Sequence, residues 1–205
     1  MLRIGLTGGI ASGKSTVAAL LRDRDYPVLD ADALAHELLE PGQDTYQEVV
    51  REFGEGILTS GGRVDRRKLG AIVFADAGKR ERLNQIMHPR IQQIAAQWFE
   101  VLDRPGGPDF AVEDAALILE ARANRNFDRV VVCWCRPEQQ IERLEARGLS
   151  LEDAERRIQS QMPLDEKRRL ADDVVDCSGS IEDTEKHVEE LISRWKQLAA
   201  RSRKI

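Results

Sequence analysis

The run Gly8-Gly9-Ile10-Ala11-Ser12-Gly13-Lys14-Ser15 constrains this chain more than any other feature. It fits the pattern G-x-x-x-x-G-K-[ST] in full, between an apolar segment and a helical one. Each position has a physical reason. Glycine lets the backbone wrap closely enough for its N–H groups to face phosphate oxygens. The helix that starts there adds its positive end. In such a loop the lysine reaches the β- and γ-phosphates and the serine hydroxyl takes a place on Mg²⁺. Gly9, Ile10, Ala11, Ser12, Gly13, Lys14, Ser15 and Thr16 are therefore the expected nucleotide-binding residues. ATP is the expected co-substrate, with Mg²⁺ as its ion. An Asn-Lys-x-Asp segment of the kind that reads guanine does not occur.

A strand, a glycine turn and a helix in that order imply an α/β fold with a parallel sheet and helices on both faces. Further strands are expected at Pro27–Leu29, Phe110–Asp114, Arg129–Cys135 and Val174-Val175. Helical patterns occupy Lys14–Arg24, Pro137–Arg147, Leu151–Gln161 and the stretch from Ser180 to about Ala200, with residues 201–205 as a frayed tail. The mainly helical stretch 33–104 is too long for a simple crossover and reads as an inserted, acceptor-binding subdomain. Residues 1–32 and 110–205 then form the nucleotide-binding core, with a lid at about 140–165. The expected class is a P-loop kinase-type parallel sheet carrying a helical substrate-binding insertion and a lid.

Composition narrows the partners. The 205 residues carry a formal charge of −5, which argues against a bulk electrostatic hold on nucleic acid or an anionic membrane. No stretch approaches the roughly 20 apolar residues of a membrane span. Cys133, Cys135 and Cys177 are too few for a disulfide framework, and a reducing cytoplasm is the simplest setting. Two apart on a strand, Cys133 and Cys135 are expected on one face, with Trp134 on the other. A monomer or weak homo-oligomer is expected.

The acceptor side is read from strand ends, because ligands of open parallel sheets sit beyond that edge. Asp30 and Asp32 follow the second strand, where one carboxylate can accept the proton of an attacking hydroxyl and the other can orient substrate. Asp32 also suits the cap of a helix from Ala33, but the position beside the loop favours a functional role for at least one of the pair. Asp114, ending the third strand, is a candidate for Mg²⁺ together with Ser15, and Glu120 is a candidate substrate contact. Arg143, Arg147, Arg156, Arg157, Lys167, Arg168 and Arg169 form a cationic stretch that reads mostly as solvated helical faces. Arg147 stands at the turn where a lid tip would neutralise the transferring phosphoryl group. His88 and Arg90 flank Pro89 at an expected helix boundary, where His88 can cap a helix or, with Arg90, contact an acceptor phosphate.

The ordered set of segments resembles the dephospho-CoA kinase family. It comprises Leu6–Thr16, Asp30-Ala-Asp32, Glu40-Pro-Gly42, Phe53-Gly54, Val73-Phe-Ala75, His88-Pro-Arg-Ile91 and Ala171–Asp176 with Ser178-Gly179. The resemblance covers nearly the whole chain. It implies phosphate transfer from ATP to the ribose 3′-hydroxyl of dephospho-CoA, with Asp32 as general base, Lys14 and Arg147 catalytic, and the His88 segment in the acceptor region. The chain departs from the family at Ala116-Leu-Ile-Leu-Glu120, which lacks the usual proline and phenylalanine. It departs again at Cys177, where an asparagine is usual. Other small-molecule kinases, acting on nucleoside monophosphates, shikimate or gluconate, share the loop. So would a nucleotide-gated regulatory protein that has lost catalysis.

Overall fold

Leu2, Ile4 and Leu6 alternate along the first strand and are buried on one face of a parallel sheet. The structure, a computed structural model, describes residues 1–202. In chain order the elements are β1 (Leu2–Gly8), α1 (Lys14–Arg22), β2 (Val28–Asp30), α2 (Ala31–Glu37), α3 (Asp44–Phe53), α4 (Arg66–Ala75), α5 (Ala77–Leu102), β3 (Phe110–Asp114), β4 (Arg129–Trp134), α6 (Pro137–Glu145), α7 (Leu151–Gln159), α8 (Leu164–Leu170), β5 (Asp173–Asp176) and α9 (Ile181–Ser202). The strands lie in the order β2-β3-β1-β4-β5, all parallel. Register pairs Asp30 with Asp114, Leu6 with Asp114, and Gly8 with Cys133. The C-terminal ends of β1, β2 and β3 therefore share one edge.

The chain divides into two compact units, one of Met1–Asp30 with the residues from Phe99 onward, the other Ala31–Trp98. In the first unit, α1 and α9 supply Val17, Leu21, Val188, Ile192 and Trp195 to the core beneath β1, where they meet Phe110 and Val131. The i, i+3, i+4, i+7 spacing of Val188, Leu191, Ile192 and Trp195 makes α9 amphipathic. Its start is fixed by Ser180, whose hydroxyl accepts from the Asp183 N–H at 3.2 Å while the Asp183 carboxylate accepts from the Ser180 N–H. Trp195 stands edge-on to Phe110 with ring centroids 5.0 Å apart, and its indole N–H donates to the carboxylate of Asp173 at 3.1 Å. Arg129 and Arg194 meet the same carboxylate at 2.7 Å each. Burial alone would raise the Asp173 pKa; the hydrogen bonds from Arg129 and Trp195 and the two guanidinium charges outweigh it and hold the group below its ordinary value.

Ile118, Leu119, Val130, Val132 and Leu164 make a second cluster in this unit, with Cys135 among them. Cys133 belongs instead to the cluster beneath β1, so the two thiols do not share a face as their spacing suggested. The reason is that β4 ends at Trp134, and the alternation ends with it. The Ala31–Trp98 unit has its own core of Leu34, Val49, Ile57, Leu69, Ile86 and Met87. Here α5 runs through Pro89, where a helix boundary was expected. Proline removes one backbone donor, but it is exposed and the flanking Ile86, Met87, Ile91 and Ile94 keep an apolar stripe on their side of the helix.

α8 was not legible as an element in the sequence, because only Leu164 and Lys167 of its seven residues are buried. Among the described residues, no helix is long and apolar enough to cross a membrane. α9 extends to Ser202, past the expected start of the frayed tail; residues 203–205 lie outside the described residues.

Candidate phosphoryl-transfer site

β1 ends at Gly8 and the chain turns through Ala11 at φ 59° and Gly13 at φ 104° before α1 begins. Gly13 is required twice over: its φ lies in the left-handed region, and a Cβ there would stand 2.8 Å from the Cβ of Cys177. Thr16 N–H and Val17 N–H turn back to the Gly13 carbonyl at 3.0 and 3.1 Å. α1 has no acidic residue in its first turn, so its positive end is left for an anion.

Side chains from later in the chain hold this loop in shape. Ile10 is gripped from both sides, its N–H donating to Gln161 Oε1 at 2.8 Å and its carbonyl accepting from Gln140 Nε2 at 2.6 Å. Arg143 donates to the Ala11 carbonyl at 3.1 Å and to the Cys177 carbonyl at 2.7 Å. Lys167 donates to the Gly8 carbonyl at 3.1 Å. The loop is thus pre-shaped by side chains that bond its backbone at Gly8, Ile10 and Ala11.

Lys14 pairs with the carboxylate of Asp114, joining the loop to the end of β3. Asp30 is half-buried, 3.9 Å from Arg22. Beside the loop opens a cleft of about 270 Å³, lined by Gly13, Thr16, Arg143, Arg147, Cys177 and Ser180 among others. Arg147 itself is exposed, in the turn between α6 and α7. Ser15, exposed at the start of α1, also faces this cleft. Glu120 is tied down: its Oε1 lies 2.7 Å from Lys167 Nζ and accepts from the Met162 N–H at 3.1 Å.

The remaining expected residues belong to the second unit. Asp32 lies inside the first turn of α2, which already starts at Ala31, so it is not the cap of a helix from Ala33. His88 is half-buried in α5, and burial lowers its pKa despite the nearby charge of Glu81. Arg90 is exposed, 3.4 Å from Gln93.

A profile of the family described as dephospho-CoA kinase matches residues 2–183. The chain belongs to the dephospho-CoA kinase family. The dephospho-CoA kinase of Bacillus licheniformis is 44% identical over 198 residues, which is 96% of this chain and 98% of that protein. Among solved structures, a Thermus thermophilus protein superposes with a TM-score of 0.81 at 36% identity, covering 94% of this chain and 97% of that one. Dephospho-CoA kinase from Campylobacter jejuni superposes with a TM-score of 0.70 at 26% identity, covering 95% and 97%. The chain is accordingly a P-loop kinase-like α/β protein of the phosphate-transferring class.

Within this dephospho-CoA kinase family member, sequence reasoning missed Gln140 and Gln161 and misjudged Lys167. Gln140 is 4% exposed and Lys167 is 0% exposed, the latter expected on a solvated face. Their signal was phase. Gln140 stands four residues before buried Leu144, and Lys167 three after buried Leu164, so each holds an apolar position of its helix.

Proposed function

We propose that this chain transfers the γ-phosphoryl group of ATP to the ribose 3′-hydroxyl of dephospho-CoA, giving coenzyme A. One observation carries the reading: a complete, pre-shaped phosphate loop, with Lys14 tied to Asp114, in a chain that matches this family over nearly its whole length.

In-line transfer needs little covalent participation by protein, so positioning and charge stabilisation do most of the work. The loop from Gly9 to Thr16 and the Lys14 ammonium receive the phosphates. The Ser15 hydroxyl and the Asp114 carboxylate are hard oxygen donors of the kind Mg²⁺ takes, and they are the residues that would hold it. When bound, that ion draws charge from the β- and γ-phosphate oxygens. Asp32, two residues past the end of β2, takes the proton of the acceptor hydroxyl, with Asp30 orienting the ribose. Residues 140–165 act as the lid, and Arg147 in its turn neutralises charge on the moving phosphoryl group. His88 and Arg90 contact the acceptor's phosphates, and Glu120 borders the acceptor. The adenosine of ATP fits the cleft beside Arg143 and Cys177. A cytoplasmic setting and a monomeric or weakly self-associating chain go with this reading.

The test is ADP release from MgATP with dephospho-CoA, AMP, adenosine or shikimate as acceptor. Stimulation by dephospho-CoA, with coenzyme A as product, is expected. Stimulation by another acceptor alone overturns the acceptor, and none by any overturns the kinase.

A further inference from the structure

Lys167 is the most deeply buried cation among the described residues, and no part of the phosphate-loop pattern requires it. Its ammonium makes three contacts from three places: the Gly8 carbonyl at 3.1 Å, the Ala116 carbonyl at 2.9 Å, and Glu120 Oε1 at 2.7 Å. Gly8 closes β1 and opens the phosphate loop, whereas Ala116 and Glu120 lie just past β3. A lysine has three donors, so all three are used and none is left over. The Ala116 carbonyl also accepts from the Thr7 hydroxyl at 3.0 Å, a second strut between the same two segments.

The same segment reaches the loop elsewhere. Gln161, six residues before Lys167, holds the Ile10 N–H, and Met162 is held by Glu120. Two residues before Ala116, Asp114 pairs with Lys14. The loop is therefore fastened at both its ends, through Lys167 from Gly8 to the segment after β3 and through Lys14 to the last residue of β3. A buried charge is costly unless it is well paired, and Glu120 provides the pairing. Burial depresses the ammonium's pKa, and the hydrogen bond and charge of Glu120 oppose this.

We infer that Lys167 is a positioning residue for phosphoryl transfer, setting the first carbonyl of the phosphate loop against the segment Ala116–Glu120 so that donor phosphate and acceptor meet in register. The inference rests on the proposed kinase reading. It adds a dependence of turnover on a residue that touches neither substrate.

The experiment compares Lys167→Met/Glu120→Gln with Glu120→Gln alone, so that no carboxylate is left buried without its cation. Activity is read as ADP release with saturating dephospho-CoA, and folding by thermal melting. Relative to Glu120→Gln, the double variant is expected to lose about 10²-fold in kcat, the scale of a small misplacement at the reacting centre, with KM for ATP moved by less than about threefold. A double variant within about threefold of Glu120→Gln in kcat overturns the inference, as does a rise in KM for ATP with kcat retained. Should the double variant not fold, Thr7→Val decides: a kcat loss of about tenfold at unchanged KM supports the strut, and wild-type kcat overturns it. Failure of the kinase reading is separable, because it shows as absent dephospho-CoA-dependent turnover in the wild-type protein.

Discussion

Lys14 and Asp114 form an ion pair that closes the phosphate loop onto the end of the neighbouring strand. Both side chains are largely withdrawn from water, at 17% and 5% exposure, so the pair is only weakly screened. An incoming triphosphate must share or take Lys14 from this carboxylate. On the proposed reading, the carboxylate released by Lys14 becomes a ligand of the Mg²⁺ that accompanies ATP. Replacing Asp114 by Asn should therefore lower kcat by about 10²-fold and raise the Mg²⁺ concentration for half-maximal rate. A magnesium titration of the variant checks this, and an unchanged midpoint removes Asp114 from the ion's ligands.

Asp32→Asn tests the proton acceptor. A positioned base contributes about 10²–10⁴-fold, and that loss should fall on kcat, with ATP affinity measured by calorimetry unchanged. Wild-type turnover in this variant excludes Asp32 as base.

Arg143 and Arg147 are four residues apart on one edge of the cleft, but their surroundings predict opposite behaviour. Arg143 holds two carbonyls, so Arg143→Ala should destabilise the fold by about 1–3 kcal/mol and weaken ATP binding. Arg147 is exposed, so Arg147→Ala should leave the melting temperature unchanged and lower kcat by about 10–10²-fold. Melting curves beside steady-state kinetics separate the two.

Gly13→Ala combines a disfavoured backbone angle with a Cβ 2.8 Å from Cys177. A loss of about 1–3 kcal/mol in denaturant unfolding is expected, together with loss of ATP binding. Full ATP affinity in this variant would show that the loop tolerates a different path.

Glu113 gives a pH signature. Burial pushes its carboxyl up to about 7. The folded state then holds a proton that the unfolded chain releases from the ordinary carboxylate range upward. Stability from this group is greatest at low pH and falls as pH rises towards about 7, by about 3 kcal/mol in total. Glu113→Gln should abolish that decline. Denaturant curves at pH 5 and pH 8 read it directly, and an identical pH dependence in the variant excludes Glu113 as its source.

Much of the fold was legible because the sheet is buried on both faces. Val130, Val131 and Val132, or Leu2, Ile4 and Leu6, leave little choice but strand. The loop was legible because its chemistry fixes residue types at fixed spacing. What sequence could not convey is which backbone groups the inward-facing polar side chains bond. Gln140, Gln161 and Lys167 bond backbone atoms of residues 8–10, and the partner of a backbone carbonyl leaves no mark on residue identity. Asp173, read in the sequence only as part of the segment Ala171–Asp176, gathers Arg129 from β4 and Arg194 and Trp195 from α9. Pro89 misled for the opposite reason, because an isolated rule about helix ends gave way to the apolar stripe around it.

The core beneath β1 draws on both ends of the described chain, from Leu2 and Ile4 to Val188, Trp195 and Ala199. During synthesis on the ribosome, β1 emerges ahead of the other described elements and must wait for α9 before its burial partners are complete. The Ala31–Trp98 unit, whose apolar residues satisfy one another, can condense while the remainder is still being made. The phosphate loop, strung from β1, therefore acquires its shape among the last events of maturation. A nascent chain stalled before α9 would carry the whole nucleotide motif above an unfinished core.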